Sequence, residues 1–256
     1  MPGTLIIMDG LSLDTNIGKI NRNIIPKNGL MINVDAISSI ESGRWYNTID
    51  NAALHVTGNA INGSNYLNTE DATNCNSGIV SDVGYLPLNV GTGDFSVVVC
   101  VEYKFDDQKS TGDNFTLFSV QNPSLSSNLD GRCNFHIFKS SKDLAFWGND
   151  GTSLRTYSEY IPDDGQHVFA LTRNNNILRF YDNGSLVATK TANHVHALPT
   201  AATNAGIEFC CQYESSTENS NTMQGKFYAG LAYNRLLTDD EVKTIYKYLK
   251  TRYSLS

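Results

Sequence analysis

Residues 226–250 read KFYAGLAYNRLLTDDEVKTIYKYLK, a strand-like run (Lys226–Tyr233) followed at once by a marked helix start. Thr238 can accept from the free N–H groups of a first helical turn, and Glu241 three positions later completes a capping box. Asp239, Asp240 and Glu241 sit at the positive end of the helix dipole, with Lys247 and Lys250 at its negative end. Val242, Ile245, Tyr246 and Leu249 recur at i, i+3, i+4 and i+7, so the spacing predicts an amphipathic helix over Thr238–Lys250. A single apolar stripe has to pack on something, and the neighbouring sequence offers only strands.

Working outward, Ile177–Tyr181 and Ser185–Thr189 flank Asp182-Asn183-Gly184, and Asn-Gly supplies the positive φ values that a two-residue hairpin turn needs. In Phe95–Tyr103 the residues Phe95, Val97, Val99, Val101 and Tyr103 share one face, opposite Ser96, Val98, Cys100 and Glu102. The second face is apolar at its middle, as expected of a strand deep in a sandwich. Phe115–Val120, Asn134–Phe138, Asp143–Trp147 and His167–Arg173 read the same way, and Gly29–Ala36 places Leu30, Ile32 and Val34 on one face. Short strands with turn residues between them predict an all-β fold, a two-sheet sandwich rather than a parallel α/β fold, with the one helix at its C-terminal end. Residues 29–256 form this body. Residues 1–28, with an apolar run at Leu5–Met8 and a turn at Pro26-Lys27-Asn28-Gly29, read either as an edge strand or as an arm that docks on another subunit.

A chain of 256 residues with 40% hydrophobic side chains can build its core without disulfides or metals. Its net charge of −7 and lack of a Lys/Arg cluster argue against a nucleic-acid partner. No apolar stretch approaches the roughly 20 residues of a membrane span, and MPGTLIIMDG lacks the basic start of a secretory leader. Cytosolic synthesis with reduced thiols is the expectation. The five cysteines (Cys75, Cys100, Cys133, Cys210 and Cys211) fit no zinc spacing, and most of them read as small buried apolar residues. Cys210 and Cys211, if in a strand, would face opposite sides.

Several segments resemble the concanavalin A-like lectin/glucanase superfamily in its laminin-G-like branch. They are Gly29-Leu30-Met31-Ile32-Asn33-Val34-Asp35-Ala36, Arg44-Trp45-Tyr46-Asn47, Gln166–Leu171 with Phe180-Tyr181-Asp182-Asn183-Gly184, and Phe227–Glu241. The resemblance implies a two-sheet antiparallel jelly-roll sandwich with one short C-terminal helix, and places Trp45 as a structural residue. It does not imply one function, since the superfamily includes lectins, hydrolases, adhesion domains and viral structural proteins. Domains of this kind without an enzyme partner domain resemble phage virion proteins. The leading expectation is therefore a non-catalytic structural or adhesive module, such as a capsid-decoration, head-fibre or tail component, made in the host cytoplasm and carried on the virion. Its partners would be virion subunits, cell-surface glycans or further copies of itself. The alternatives are a soluble carbohydrate-binding lectin and a divergent glycoside hydrolase.

The hydrolase branch uses acidic residues at alternate positions of one strand, E-x-D-x-E, because only i, i+2 and i+4 side chains face one groove. No such run exists here. Asp106-Asp107, Asp163-Asp164 and Asp239-Asp240 are adjacent pairs that would point apart in strands. Asp163-Asp164-Gly165 reads as a turn. His167, His194 and His196 have no third ligand at a recognisable spacing and read as exposed loop histidines. The resemblance leaves a structural calcium open, with oxygen ligands in Asn149-Asp150-Gly151, Asp182-Asn183 and Asn68–Asp71, although the same residues are ordinary turn formers. No other cofactor is expected. A sugar site needs an aromatic platform beside planar polar groups, and Trp147, Asn149, Asp150, Arg155 and Tyr157 supply both around one turn. The competing reading makes Trp147 a core residue.

Overall fold

The computed structural model describes residues 12–13, 20–21, 25–41, 44–58, 60–69, 78–82, 84–108, 114–121, 130–150, 153–192, 198, 206–211 and 221–256. In chain order the early strands are β1 (Ser12–Leu13), β2 (Ile20–Asn21), β3 (Leu30–Asp35), β4 (Ile40–Glu41), β5 (Arg44–Tyr46), β6 (Ala53–Thr57), β7 (Ile61–Asn62), β8 (Leu67–Asn68) and β9 (Gly78–Ser81). Longer strands follow: β10 (Phe95–Tyr103), β11 (Asn114–Gln121), β12 (Asp130–Phe138), β13 (Leu144–Asp150), β14 (Ser153–Tyr157) and β15 (Gly165–Asn174). The chain closes with β16 (Ile177–Asp182), β17 (Ser185–Thr191), β18 (Gly206–Phe209), β19 (Gly225–Tyr233) and the helix α1 (Asp239–Tyr253).

Among the described residues, two large antiparallel sheets face each other. One runs β17-β16-β15-β10-β19-β8-β7, with β3 also paired to β19, and the other runs β14-β13-β12-β11-β18-β9-β6-β5-β4. The core fills the space between them, where Phe95 meets Phe146, Phe135 meets Phe180 and Phe209 meets Phe227 across the sheets. Trp45 is fully buried and donates its indole N–H to Asn62 at 2.7 Å, as a structural residue should. The expected sandwich with one C-terminal helix is the fold.

The outer face of the first sheet explains the apolar middle of β10. Ser96, Val98 and Cys100 point away from the inter-sheet core, and α1 covers that side. Leu237 N–H donates to Ser96 Oγ at 2.9 Å, Tyr181 OH to Asp239 at 2.8 Å, and Tyr253 OH to the Tyr228 carbonyl at 2.8 Å. The capping box forms as expected, with Glu241 N–H on Thr238 Oγ1 and Thr238 N–H on Glu241. Arg235 holds the same carboxylate through two contacts of 2.7 and 2.8 Å, and together with the Thr238 backbone keeps the Glu241 carboxyl below its usual range against the opposing effect of burial. The helix runs to Tyr253, three residues past the expected end, because Tyr253 adds a buried contact one turn beyond Leu249.

Asn183 (φ 48°) and Gly184 (φ 76°) form the two-residue turn between β16 and β17. Cys100, Cys133, Cys210 and Cys211 are buried and unpaired, whereas Cys75 lies outside the described residues. Cys210 is not in a strand: β18 ends at Phe209 and Cys210 takes a left-handed φ of 61°. Within residues 1–28, β1 pairs with β2, Ile25 is buried in the core, and the Leu5–Met8 run lies outside the described residues.

Candidate functional site: a platform on the edge hairpin of the second sheet

β13 and β14 form a hairpin at one edge of the nine-stranded sheet, and its register decides what the sequence could only juxtapose. Phe146 turns inward to Phe95, so Trp147 faces outward. Trp147 pairs directly with Arg155 on β14 and with Asn134 on β12. Directly opposed residues in an antiparallel pair share a face with Cβ atoms roughly 5 Å apart. Tyr157, two residues on, shares that face and is 37% exposed. The expected trio of Trp147, Arg155 and Tyr157 is therefore assembled on one surface.

Phe138 completes it, and sequence reading missed its role. It is the last residue of β12, half-buried, and stacks edge-on to Tyr157 at 5.3 Å. The Arg155 guanidinium lies 4.5 Å from the Phe138 ring centroid. The available signal was alternation, which puts Asn134, His136 and Phe138 on one face of β12 with Phe135 and Ile137 on the other. Trp147 is half-buried, so it is an outer-face residue rather than part of the inter-sheet core. Asn149 pairs with Ser153 and Arg132, and Asp150 with Asp130, at the end of the hairpin; their backbones alone are described.

Toward the middle of the sheet the same face becomes buried and polar. His136, Asn134, Thr116 and Ser119 are fully buried, with Asn134 donating to Thr116 at 3.2 Å and Ser119 to Glu208 at 2.5 Å. Burial pushes the His136 imidazole down to about 3, so it is neutral near pH 7. The face thus grades from an aromatic rim to a buried polar interior.

Other expectations need correction. His167 is not an exposed loop histidine but a β15 residue, 6% exposed, with one nitrogen 2.9 Å from Asp182 and the other 2.8 Å from the Asp163 carbonyl. Both nitrogens face acceptors, which leaves none for a metal. His194 and His196 lie outside the described residues. Asp182 also accepts from Tyr160 OH at 2.8 Å, and Asn183 Oδ1 accepts from Val168 N–H at 3.0 Å, so this candidate calcium pair is committed to the fold. Glu70 and Asp71 lie outside the described residues. Among those described, no three His, Cys, Asp or Glu side chains converge on a common point. Asp106 and Asp107 lie in a 3-10 turn, Phe105–Asp107, rather than in a strand.

A groove of about 880 Å³ opens beyond the ends of β10, β15 and β19, lined by Glu102, Lys104, Asp106, Asp164, Gln166 and Lys226 among others. Its central carboxylate is occupied by the protein itself. Glu102 takes Lys226 at 2.7 Å, Tyr228 OH at 2.8 Å and Gln166 at 3.0 Å. Burial would raise its carboxyl, but these donors outweigh that and hold it below its usual range. A carboxylate so engaged is a structural anion and a poor proton donor.

No protein-family model and no curated relative matches the chain. Solved structures do. The binding domain of botulinum neurotoxin serotype G is similar with a TM-score of 0.61 and 15% identity, over 87% of this chain and 51% of that one. Domain 4 of AbnA, a GH43 extracellular arabinanase from Geobacillus stearothermophilus, in complex with arabinotriose, gives 0.58 and 16%, over 84% of this chain and 97% of that domain. Trypanosoma rangeli sialidase in complex with sialic acid gives 0.58 and 15%, over 89% of this chain and 34% of the sialidase. The chain spans about a third of the sialidase and half of the toxin domain. At these identities the likeness establishes the β-sandwich and nothing finer.

Proposed function

We propose that this sandwich is a non-catalytic carbohydrate-binding module of laminin-G-like type, and that the platform of Trp147, Arg155, Tyr157 and Phe138 is its sugar site. One observation carries the reading: Trp147 and Arg155 are register partners on the outer face of an edge hairpin, where an aromatic face and a hydrogen-bonding fork lie side by side. A pyranose stacks its C–H face on an aromatic ring while its hydroxyls take in-plane donors, and a rim site with a few polar groups suits that. Neighbours of the same fold whose complexes hold arabinotriose or sialic acid support the class of ligand. The absence of an alternating acidic run, together with the engagement of Glu102, supports binding without turnover.

Trp147→Ala tests it. On a broad glycan array the wild-type chain is expected to bind a defined subset of sugars. The variant should lose at least about tenfold in affinity, the scale of one stacking contact of 1–2 kcal/mol, while still unfolding in one cooperative transition. A blank array for the wild type would sink the reading.

For the biological setting we propose a virion surface component in which residues 1–28 dock the sandwich on a neighbouring subunit. The arm-like sequence, and the resemblance of laminin-G-like domains without an enzyme partner domain to phage virion proteins, support this. Light scattering is expected to show a defined homo-oligomer in the micromolar range. A monomer at every concentration would remove the self-assembly part of the proposal.

A further inference from the structure

We infer that the platform reads an anionic sugar, and that Arg155 is the residue that recognises its carboxylate; this rests on the sugar-site reading above. Among the described arginines whose side chains are buried or half-buried, Arg155 alone has neither a carboxylate nor a carbonyl partner. Arg179 pairs with Asp239, Arg235 with Glu241 and Arg252 with Asp35, while Arg173 donates to the carbonyls of Gly91 and Gly93. Arg155 has only the Phe138 ring. In a chain with 26 acidic residues against 19 basic ones, a half-buried guanidinium that none of the described acids satisfies is a position open to a ligand.

Its geometry fits that role. A guanidinium 4.5 Å from a ring centroid is within cation–π range, and stacking of that kind engages the flat face of the group and leaves its N–H edge for a ligand. That planar edge matches a carboxylate through two parallel hydrogen bonds. Trp147 lies directly opposite on β13, so a sugar ring over the indole would bring a ring carboxylate to the guanidinium edge. His136, one row further in, is fully buried and neutral and adds no charge there. Among the side chains described, Arg155 is the cation of this part of the face.

The experiment compares acid and neutral sugar pairs on the full chain by titration calorimetry. The pairs are trigalacturonate against its carboxyl-reduced counterpart, and 3′-sialyllactose against lactose. The acidic member of at least one pair is expected to bind roughly 10- to 100-fold more tightly than its neutral partner, the worth of a charge-assisted bidentate contact. Which pair responds tells a uronate from a sialic acid. Arg155→Gln should erase that preference by weakening the acidic member about 10- to 100-fold more than its neutral partner, which loses only a neutral hydrogen bond. Arg155→Lys, which keeps charge but loses the fork, should retain part of it, and circular dichroism confirms folding of both. Equal binding of acid and neutral members, or a preference that survives Arg155→Gln, overturns the anion assignment and leaves the sugar site standing. If no sugar of either kind binds the wild type, both readings fall together.

Discussion

Gly225→Ala is expected to destabilise the domain by about 3–5 kcal/mol, combining backbone strain with overpacking. Gly225 has φ +152°, and a Cβ built on it would lie 2.1 Å from the Glu102 carbonyl oxygen and 3.2 Å from the Tyr103 Cα. Those are backbone atoms of β10, paired in register with the start of β19, so no side-chain rotation relieves the clash. Neither can Gly225 retreat. Its N–H donates to Thr69 Oγ1 at 3.0 Å, and its carbonyl accepts from Thr69 N–H at 2.8 Å. Gly165 is the internal control: its φ is +135°, but a Cβ there meets nothing within 4 Å. Gly165→Ala should cost only the conformational part, about 1–2 kcal/mol. Urea unfolding of the two variants beside wild type measures the difference. Equal midpoints for both would show that crowding at β10 is not what Gly225 avoids.

Asp35→Ala is expected to cost about 3 kcal/mol, within the range for removing one partner of a buried ionic contact. Asp35 is 3% exposed and organises two ends of the chain. From its own turn it accepts from the N–H groups of Ile37 (2.8 Å) and Ser38 (3.2 Å). From the last turn of α1 it takes Arg252 at 2.7 Å and Tyr253 OH at 2.8 Å. Burial would lower the Arg252 guanidinium, but the bond and charge of Asp35 outweigh that and raise it. Removing the carboxylate strands both partners and frees the end of the helix from the sheet. Asp35→Asn keeps the shape but not the charge and should cost about half as much, since a neutral acceptor makes the weaker bond. Hydrogen exchange should report faster opening over residues 249–253 in both variants. Wild-type exchange there, with an unchanged unfolding midpoint, would exclude Asp35 as the anchor.

The elements legible in the sequence are those whose signal is complete within a few residues. β10 shows one unbroken apolar face over nine positions, and the β16–β17 turn needs only Asn183 and Gly184. The capping box of α1 is three residues apart. What escaped were short or bulged strands such as β6, β9 and β18, four or five residues long, whose pattern is too brief to separate from a loop. Within the site, Trp147, Arg155 and Tyr157 stood out by residue type. Phe138 did not, because its contact with Arg155 depends on two strand pairings that local sequence cannot register. His167 misled for a related reason. A histidine followed by an apolar run looks like a strand entrance exposed to water, but Asp182, fifteen residues later, makes its burial affordable.

By itself the sequence determined that this is a β chain with one terminal helix, where that helix starts, and where its tightest turn falls. Each rests on the local preferences of a few neighbouring residues. Only the tertiary structure decided that β10 lies between β15 and β19, that the outer half of β10 belongs to α1, and that four rim residues share one face of an edge hairpin. Those facts are set by hydrogen-bond register and by packing between segments far apart in the chain. A one-residue slip in either would send Trp147 and Arg155 to the opposite side of the sheet.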